Sequence, residues 1–161
     1  MYCAVKPMTY RFAEEISGWI YQGEYAVYSF EPGEETMGEL LNGDYFACVD
    51  RSNRLIGYFC KGDSARIPTK EQFDYTDDAL DLGLGMKPEF CGKGLGYLFF
   101  KRGLEFMREA YGAERMRLTV ACFNRRAISV YRQHGFHITT SVTHKNTLKE
   151  FYIMVNTPLP D

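Results

Sequence analysis

The stretch EFCGKGLGYLFF, residues 89–100, sets Gly92, Gly94 and Gly96 at alternate positions directly before an apolar, helix-like run. A glycine turn that opens a helix makes an anion site. The N–H groups of a first helical turn lack intrahelical partners and point outward. Glycines let a phosphate approach the backbone because no Cβ stands in the way. Lys93 adds a point charge. Two familiar phosphate loops do not fit. A P-loop needs a hydroxyl directly after its lysine to hold magnesium, and here Gly94 follows Lys93. A dinucleotide fingerprint begun at Gly92 and Gly94 would need a glycine where Tyr97 stands, and no further βαβ unit follows.

Two other stretches carry candidate chemistry. In ALDLGLGM, alternation puts Leu80, Leu82, Leu84 and Met86 on one strand face and Asp81, Gly83 and Gly85 on the other. A carboxylate followed by two positions without side chains leaves a hollow beside it. In NRRAISVYRQHGF, Asn124 can cap a helix on which Ala127, Ile128 and Tyr131 share a face, and Gly135 ends it. By spacing alone, Tyr131 reads as a core tyrosine.

The elements that must position these residues follow from periodicity and punctuation. YCAVKP predicts a short strand stopped by Pro7. Thr9 caps a helix through about Trp19 with Phe12, Ile16 and Trp19 in one stripe. YQGEYAVYSFEPGEE, broken by Gly23, Pro32 and Gly33, predicts an irregular loop. TMGELLNG gives one or two helical turns ending at Gly43. YFACVD and LIGYFCKG flank the polar turn RSNR as a hairpin. Residues 64–77 read as a polar connection. ALDLGLGM is a strand closed by Lys87-Pro88. After the glycines, Leu95, Leu98, Phe99, Phe106, Met107 and Ala110 follow helical spacing, with Gly112 as the cap. RMRLTVAC is a strand. FHITTSVTH and EFYIMV are two more. This order predicts one α/β layered domain over 1–161.

Composition narrows the function class. The chain has 161 residues, 45% apolar and 25% charged, which suits a soluble globular domain. A formal charge of −2 argues against a sequence-independent nucleic-acid binder. No apolar run approaches the roughly 20 residues that span a bilayer, and MYCAVKPMTYR lacks a signal-peptide layout. We therefore expect a cytoplasmic protein with no membrane partner. The five cysteines are odd in number, scattered and without a CxxC pair. They suggest neither a zinc knuckle nor a disulfide framework, but small buried residues. His134 and His137 are separated by the helix-ending Gly135, so no metal site is expected.

GMKPEFCGKGLGYLFFKRGLEF resembles the acetyl-CoA pyrophosphate loop of the GNAT acetyltransferase superfamily, whose pattern is Arg or Gln, two residues, Gly, one residue, Gly or Ala. Here it reads Cys91, Gly92, Lys93, Gly94, Leu95, Gly96. The chain departs from the pattern at Cys91. Backbone donors carry most of the anion binding in such a loop and are unaffected. Downstream, Asn124, Tyr131, Gly135 and Phe136 resemble the family's second element.

The resemblance implies a central, mostly antiparallel sheet of about six to seven strands flanked by helices and splayed at the cofactor strand. It implies acetyl transfer from acetyl-CoA to a primary amine, without a metal. Cys91, Gly92, Lys93, Gly94, Leu95, Gly96 and Tyr97 would hold the pyrophosphate. Leu84 and Met86 would pair with the pantetheine arm as an added strand does. Asn124 would contact that arm or its ordered water, and Tyr131 would act as general acid toward the departing thiolate. Asp81 is the candidate base, with ordered water as the alternative. The variable substrate loop would hold Tyr21, Glu24, Tyr25, Tyr28, Phe30, Glu31, Glu34 and Glu35, whose carboxylates and rings suit a cationic amine. A peptide α-amine, a polyamine, an antibiotic amine and an amino-acid-like metabolite all remain open, as do monomer and homodimer. The competing reading is a non-catalytic acyl-CoA sensor of the same fold.

Overall fold

The computed structural model describes residues 1–156; residues 157–161 of the expected domain lie outside the described ones. In chain order the elements are β1 Ala4–Pro7, α1 Tyr10–Ser17, α2 Glu34–Leu40, β2 Tyr45–Val49, β3 Leu55–Lys61 and β4 Leu80–Met86. Then come α3 Gly96–Tyr111, β5 Met116–Ala121, α4 Arg125–Gln133, β6 Phe136–Thr143 and β7 Glu150–Asn156. The seven strands form one mixed sheet in the order β1-β2-β3-β4-β5-β7-β6. The sheet is antiparallel at β1–β2, β2–β3, β5–β7 and β6–β7, and parallel at β4–β5. The β4–β5 ladder pairs Leu80 with Met116 and Asp81 with Arg117. β4 then runs on to Met86, past those pairs, where a splay at the cofactor strand was expected.

The described residues divide into two compact units, residues 1–60 with 84–103, and residues 61–83 with those from 104 onward. In the first, Thr9 Oγ1 accepts from the Phe12 N–H at 3.2 Å and starts α1, a cap worth about 1 kcal/mol. The helix ends at Ser17, not Trp19, because the Gly18 N–H turns back to the Glu15 carbonyl. Trp19 is nevertheless buried. The core of this unit is aromatic. Phe59 of β3 stacks on Phe99 of α3 at 4.6 Å, and both are fully buried. Each contributes about 2–3 kcal/mol by leaving water. Gly57 permits that approach, since a Cβ there would stand 2.5 Å from the Phe99 ring.

The buried stripe of α3 runs through Phe99, Phe100, Leu104 and Met107. Leu98 and Ala110, expected on that stripe, are exposed. The spacing fitted both registers, and packing chose between them. The expected loop between α1 and α2 holds a 3₁₀ helix, Gly23–Tyr28, with no buried residue.

Cys3 and Cys48 are joined as a disulfide, their Cα atoms 5.8 Å apart. The cysteine pattern suggested no disulfide framework, and this pair is the departure from that expectation. The β1–β2 pairing brings together residues 45 apart in sequence, which spacing along the chain cannot reveal.

In the second unit, β7 lies between β5 and β6 and pairs antiparallel with both, burying Leu118, Val120, Phe151, Ile153 and Met154. Asn124 Oδ1 accepts from the Ala127 N–H at 3.1 Å and caps α4. α4 buries Ile128 and Tyr131. The polar connection before β4 is tied to β6 by a Thr69–His144 bridge and a Lys70 N–H to Thr143 carbonyl bond.

Candidate active site

The glycine loop belongs to the first unit. Gly92 and Gly94 adopt φ of 73° and 75°, the left-handed region that glycine enters at little cost. They turn the chain into α3, which starts at Gly96. Residues 92–94 are exposed, and a Cβ on Gly94 would meet nothing within 4 Å. The glycine is there for the backbone angle, not to relieve a protein contact. Lys93 makes no ion pair among the described residues. A helix start, two left-handed glycines and an uncommitted ammonium make a site for a polyanion.

Cys91 does not project like a phosphate-binding side chain. Its Sγ turns back to the carbonyls of Met86 at 3.6 Å and Lys87 at 3.7 Å. Lys87 is held by Glu89 at 3.0 Å and Glu15 at 3.6 Å, and the Glu89 bond raises its pKa first. The Met86 carbonyl also accepts from the Tyr21 hydroxyl at 2.7 Å. Of the two backbone positions expected to pair with a pantetheine arm, Met86 thus already has a partner.

The hollow expected at Gly83 and Gly85 is corrected at Gly85. A Cβ there would stand 2.4 Å from the Tyr58 ring, which fills the space. Tyr58 contacts Trp19, Phe30 and Tyr45 at centroid distances of 6.3, 5.9 and 5.8 Å.

Asp81, Asn124 and Tyr131 belong to the second unit. Asp81 is 1% exposed, and both its oxygens are engaged. Oδ1 accepts from Arg117 Nε at 2.8 Å. Oδ2 accepts from Arg117 Nη2 at 2.7 Å and Arg66 Nε at 2.8 Å. Asp81 raises the pKa of both arginines, chiefly through these bonds. Arg66 and Arg117 flank the Tyr75 ring at 5.4 and 5.1 Å, and the Tyr75 hydroxyl meets Thr119 Oγ1 at 2.9 Å. Asp81 does line an open cleft of about 440 Å³, with Asp77, Asp78, Tyr111 and Arg115. Its oxygens, however, are already committed to guanidinium groups. This is an anchoring ion cluster, and a carboxylate so held is poorly placed to collect a proton from an amine. The sequence carried one signal of it: Arg117 sits in the otherwise apolar run MRLTVA.

Among the described residues no His, Cys, Asp and Glu grouping suits a metal ion, and no helix is long and apolar enough to cross a membrane.

The family model described as Acetyltransferase (GNAT) family matches residues 11–136. The chain belongs to the GNAT family. Spermidine N(1)-acetyltransferase of Escherichia coli K12 is 25% identical to it over 126 residues, covering 78% of this chain and 65% of that protein. The chain therefore spans just under two thirds of that relative's length. Among solved structures, a spermidine N-acetyltransferase chimera from Vibrio cholerae and hSSAT superposes with a TM-score of 0.67 at 18% identity, covering 96% of this chain and 94% of the other. A GNAT acetyltransferase from Bacillus anthracis gives 0.70 at 13% identity, covering 95% and 93%. Both share the fold, and the mixed seven-stranded sheet is the GNAT sheet.

Proposed function

We propose that this chain transfers an acetyl group from acetyl-CoA to a primary amine. The observation that carries the reading is the left-handed Gly92–Gly94 turn leading exposed backbone into α3, the shape that receives a diphosphate. Membership of the GNAT family supports the acyl donor. Acetyl-CoA supplies a thioester-activated acyl group. The amides near residues 92–97 and the Lys93 ammonium bind its phosphates, and the backbone of β4 at Leu84 aligns the arm, the Met86 carbonyl being held by Tyr21. Asn124 steadies that arm. Tyr131 donates its hydroxyl proton to the thiolate as the carbon–sulfur bond breaks and recovers one from solvent. Since Asp81 is engaged by two arginines, we assign removal of the amine proton to ordered water rather than to Asp81.

The relatives named for spermidine make a polyamine the first acceptor to try. Exposed Glu24, Glu31, Glu34 and Glu35 would draw such a cation. Thiol release from acetyl-CoA, followed over spermidine, peptide α-amines, antibiotic amines and amino-acid amides, tests the reading. We expect release above background with at least one amine.

A sensor of the same fold is the second reading. Cys91 folded inward and the committed Asp81 favour it. Tight acetyl-CoA binding with no thiol release on any amine would establish it in place of catalysis. Loss of bound acetyl-CoA to ATP or NAD in competition would sink both.

A further inference from the structure

We propose that Tyr21 is a positioning residue, a latch whose hydroxyl, donated to the Met86 carbonyl, holds the 21–30 segment over the end of β4. The inference rests on the acetyl-transfer reading above and adds how the amine side is held. Tyr21 Oη lies 2.7 Å from the Met86 oxygen, across 65 residues of chain. The Tyr21 N–H donates to Ser29 Oγ at 3.0 Å, so the segment closes on itself at its root. Between these residues lies a 3₁₀ helix with nothing buried. Its apolar side chains are at most half-buried, as at Tyr25, Val27 and Tyr28, so polar anchoring adds to its placement.

The second anchor is Phe30, whose ring meets Tyr58 at 5.9 Å; Tyr58 in turn covers Gly85. One end of the segment is thus fixed on Met86 of β4, the strand proposed to carry the acyl arm, and the other on Tyr58 of β3, whose ring covers Gly85. Glu24 travels with the segment. Burial, and then the Cys91 thiol, push the Tyr21 hydroxyl well above its ordinary range, so it stays a neutral donor at any working pH. The Met86 oxygen also faces Cys91 Sγ, so the latch meets the root of the glycine loop at one carbonyl.

The test is Tyr21→Phe, which removes one hydroxyl and keeps the ring. A net neutral hydrogen bond is worth a factor of about three to tenfold. We expect the KM of the best amine to rise by about that factor, with coenzyme A affinity by calorimetry and kcat nearly unchanged. Limited proteolysis within residues 22–29 should speed up by a similar factor. Tyr45→Phe, which loses a comparable bond to Glu39 at 3.3 Å, is the control for a merely structural loss and should leave the amine KM alone. An unchanged KM in Tyr21→Phe, or an equal rise in Tyr45→Phe, overturns the positioning role. If the parent protein acetylates nothing, the acetyl-transfer reading fails, and the proteolysis comparison decides the latch by itself: equal cleavage rates refute it.

Discussion

Tyr131 is buried on α4, two turns beyond the Asn124 cap, and its reading as a general acid came from its place in the Asn–Tyr–Gly–Phe pattern rather than from spacing. Burial on an amphipathic helix suits a core tyrosine equally well, so only a rate measurement separates the two. For Tyr131→Phe we expect the chemical step to slow by about 10²–10⁴, the usual worth of a positioned acid. The dissociation constant for coenzyme A should hardly move. Stopped-flow or burst kinetics check this, and equal rates would remove Tyr131 from the role. Gly92 and Gly94 were legible from the sequence because their function is conformational, and a left-handed turn is a property of a few adjacent residues. Tyr21 and Asp81 were legible as residue types but not as partners. A phenol meeting a carbonyl 65 positions away, or a carboxylate meeting two arginines, is a fact of folding.

At the scale of elements, the caps, the hairpin and the order of strands and helices follow from local pattern. Thr9, Asn124, Gly112 and Gly135 each end or begin a helix where expected. The departures have physical reasons. α3 buries Phe100 and Leu104 rather than Leu98 and Ala110, because a helix that is apolar over much of its girth leaves its rotation to its neighbours. The connection from Gly62 to Asp78 looked merely polar, yet it is clamped to β4 and β5 by Arg66, Tyr75, Asp81 and Arg117. Arg117 is 5% exposed and Asp81 1%. Arg117→Ala would leave the carboxylate buried with half of its partners, and we expect a loss of about 3 kcal/mol in urea unfolding. Arg117→Lys should recover part of that, since it restores the charge but not the two-pronged contact. A loss under 1 kcal/mol in Arg117→Ala would show that the cluster does not anchor the connection.

For the whole molecule, the ionisable groups define a pH window. The carboxylates of Asp50, Glu71 and Asp78 sit below their ordinary range, held first by the Arg54 N–H, the Thr143 N–H and the Thr76 hydroxyl respectively. A depressed carboxylate stabilises the fold above its unfolded value near 4, and that stabilisation is lost as pH falls through the folded value. Burial raises the phenols of Tyr21 and Tyr45. Their contribution is complete below the unfolded value near 10 and is lost as pH rises beyond it. Melting temperature should therefore stay level between about pH 5 and 9 and fall on both sides. Tyr45→Phe should flatten the alkaline limb. An alkaline limb that is the same in parent and Tyr45→Phe would exclude the buried phenol as its cause.

The sequence by itself determined the mixed α/β order, the glycine turn at the mouth of α3 and the capped α4, since each depends on the torsions and periodicity of residues close in the chain. Only the tertiary structure decided that Asp81 is held by Arg117 and Arg66, that Cys3 bonds to Cys48, and that the Tyr21 hydroxyl donates to the Met86 carbonyl. The pairings with Arg117, Cys48 and Met86 join residues 36, 45 and 65 positions apart. They exist because burying apolar strand and helix faces brings distant polar groups within hydrogen-bonding reach, a consequence of the packed whole that no local pattern encodes.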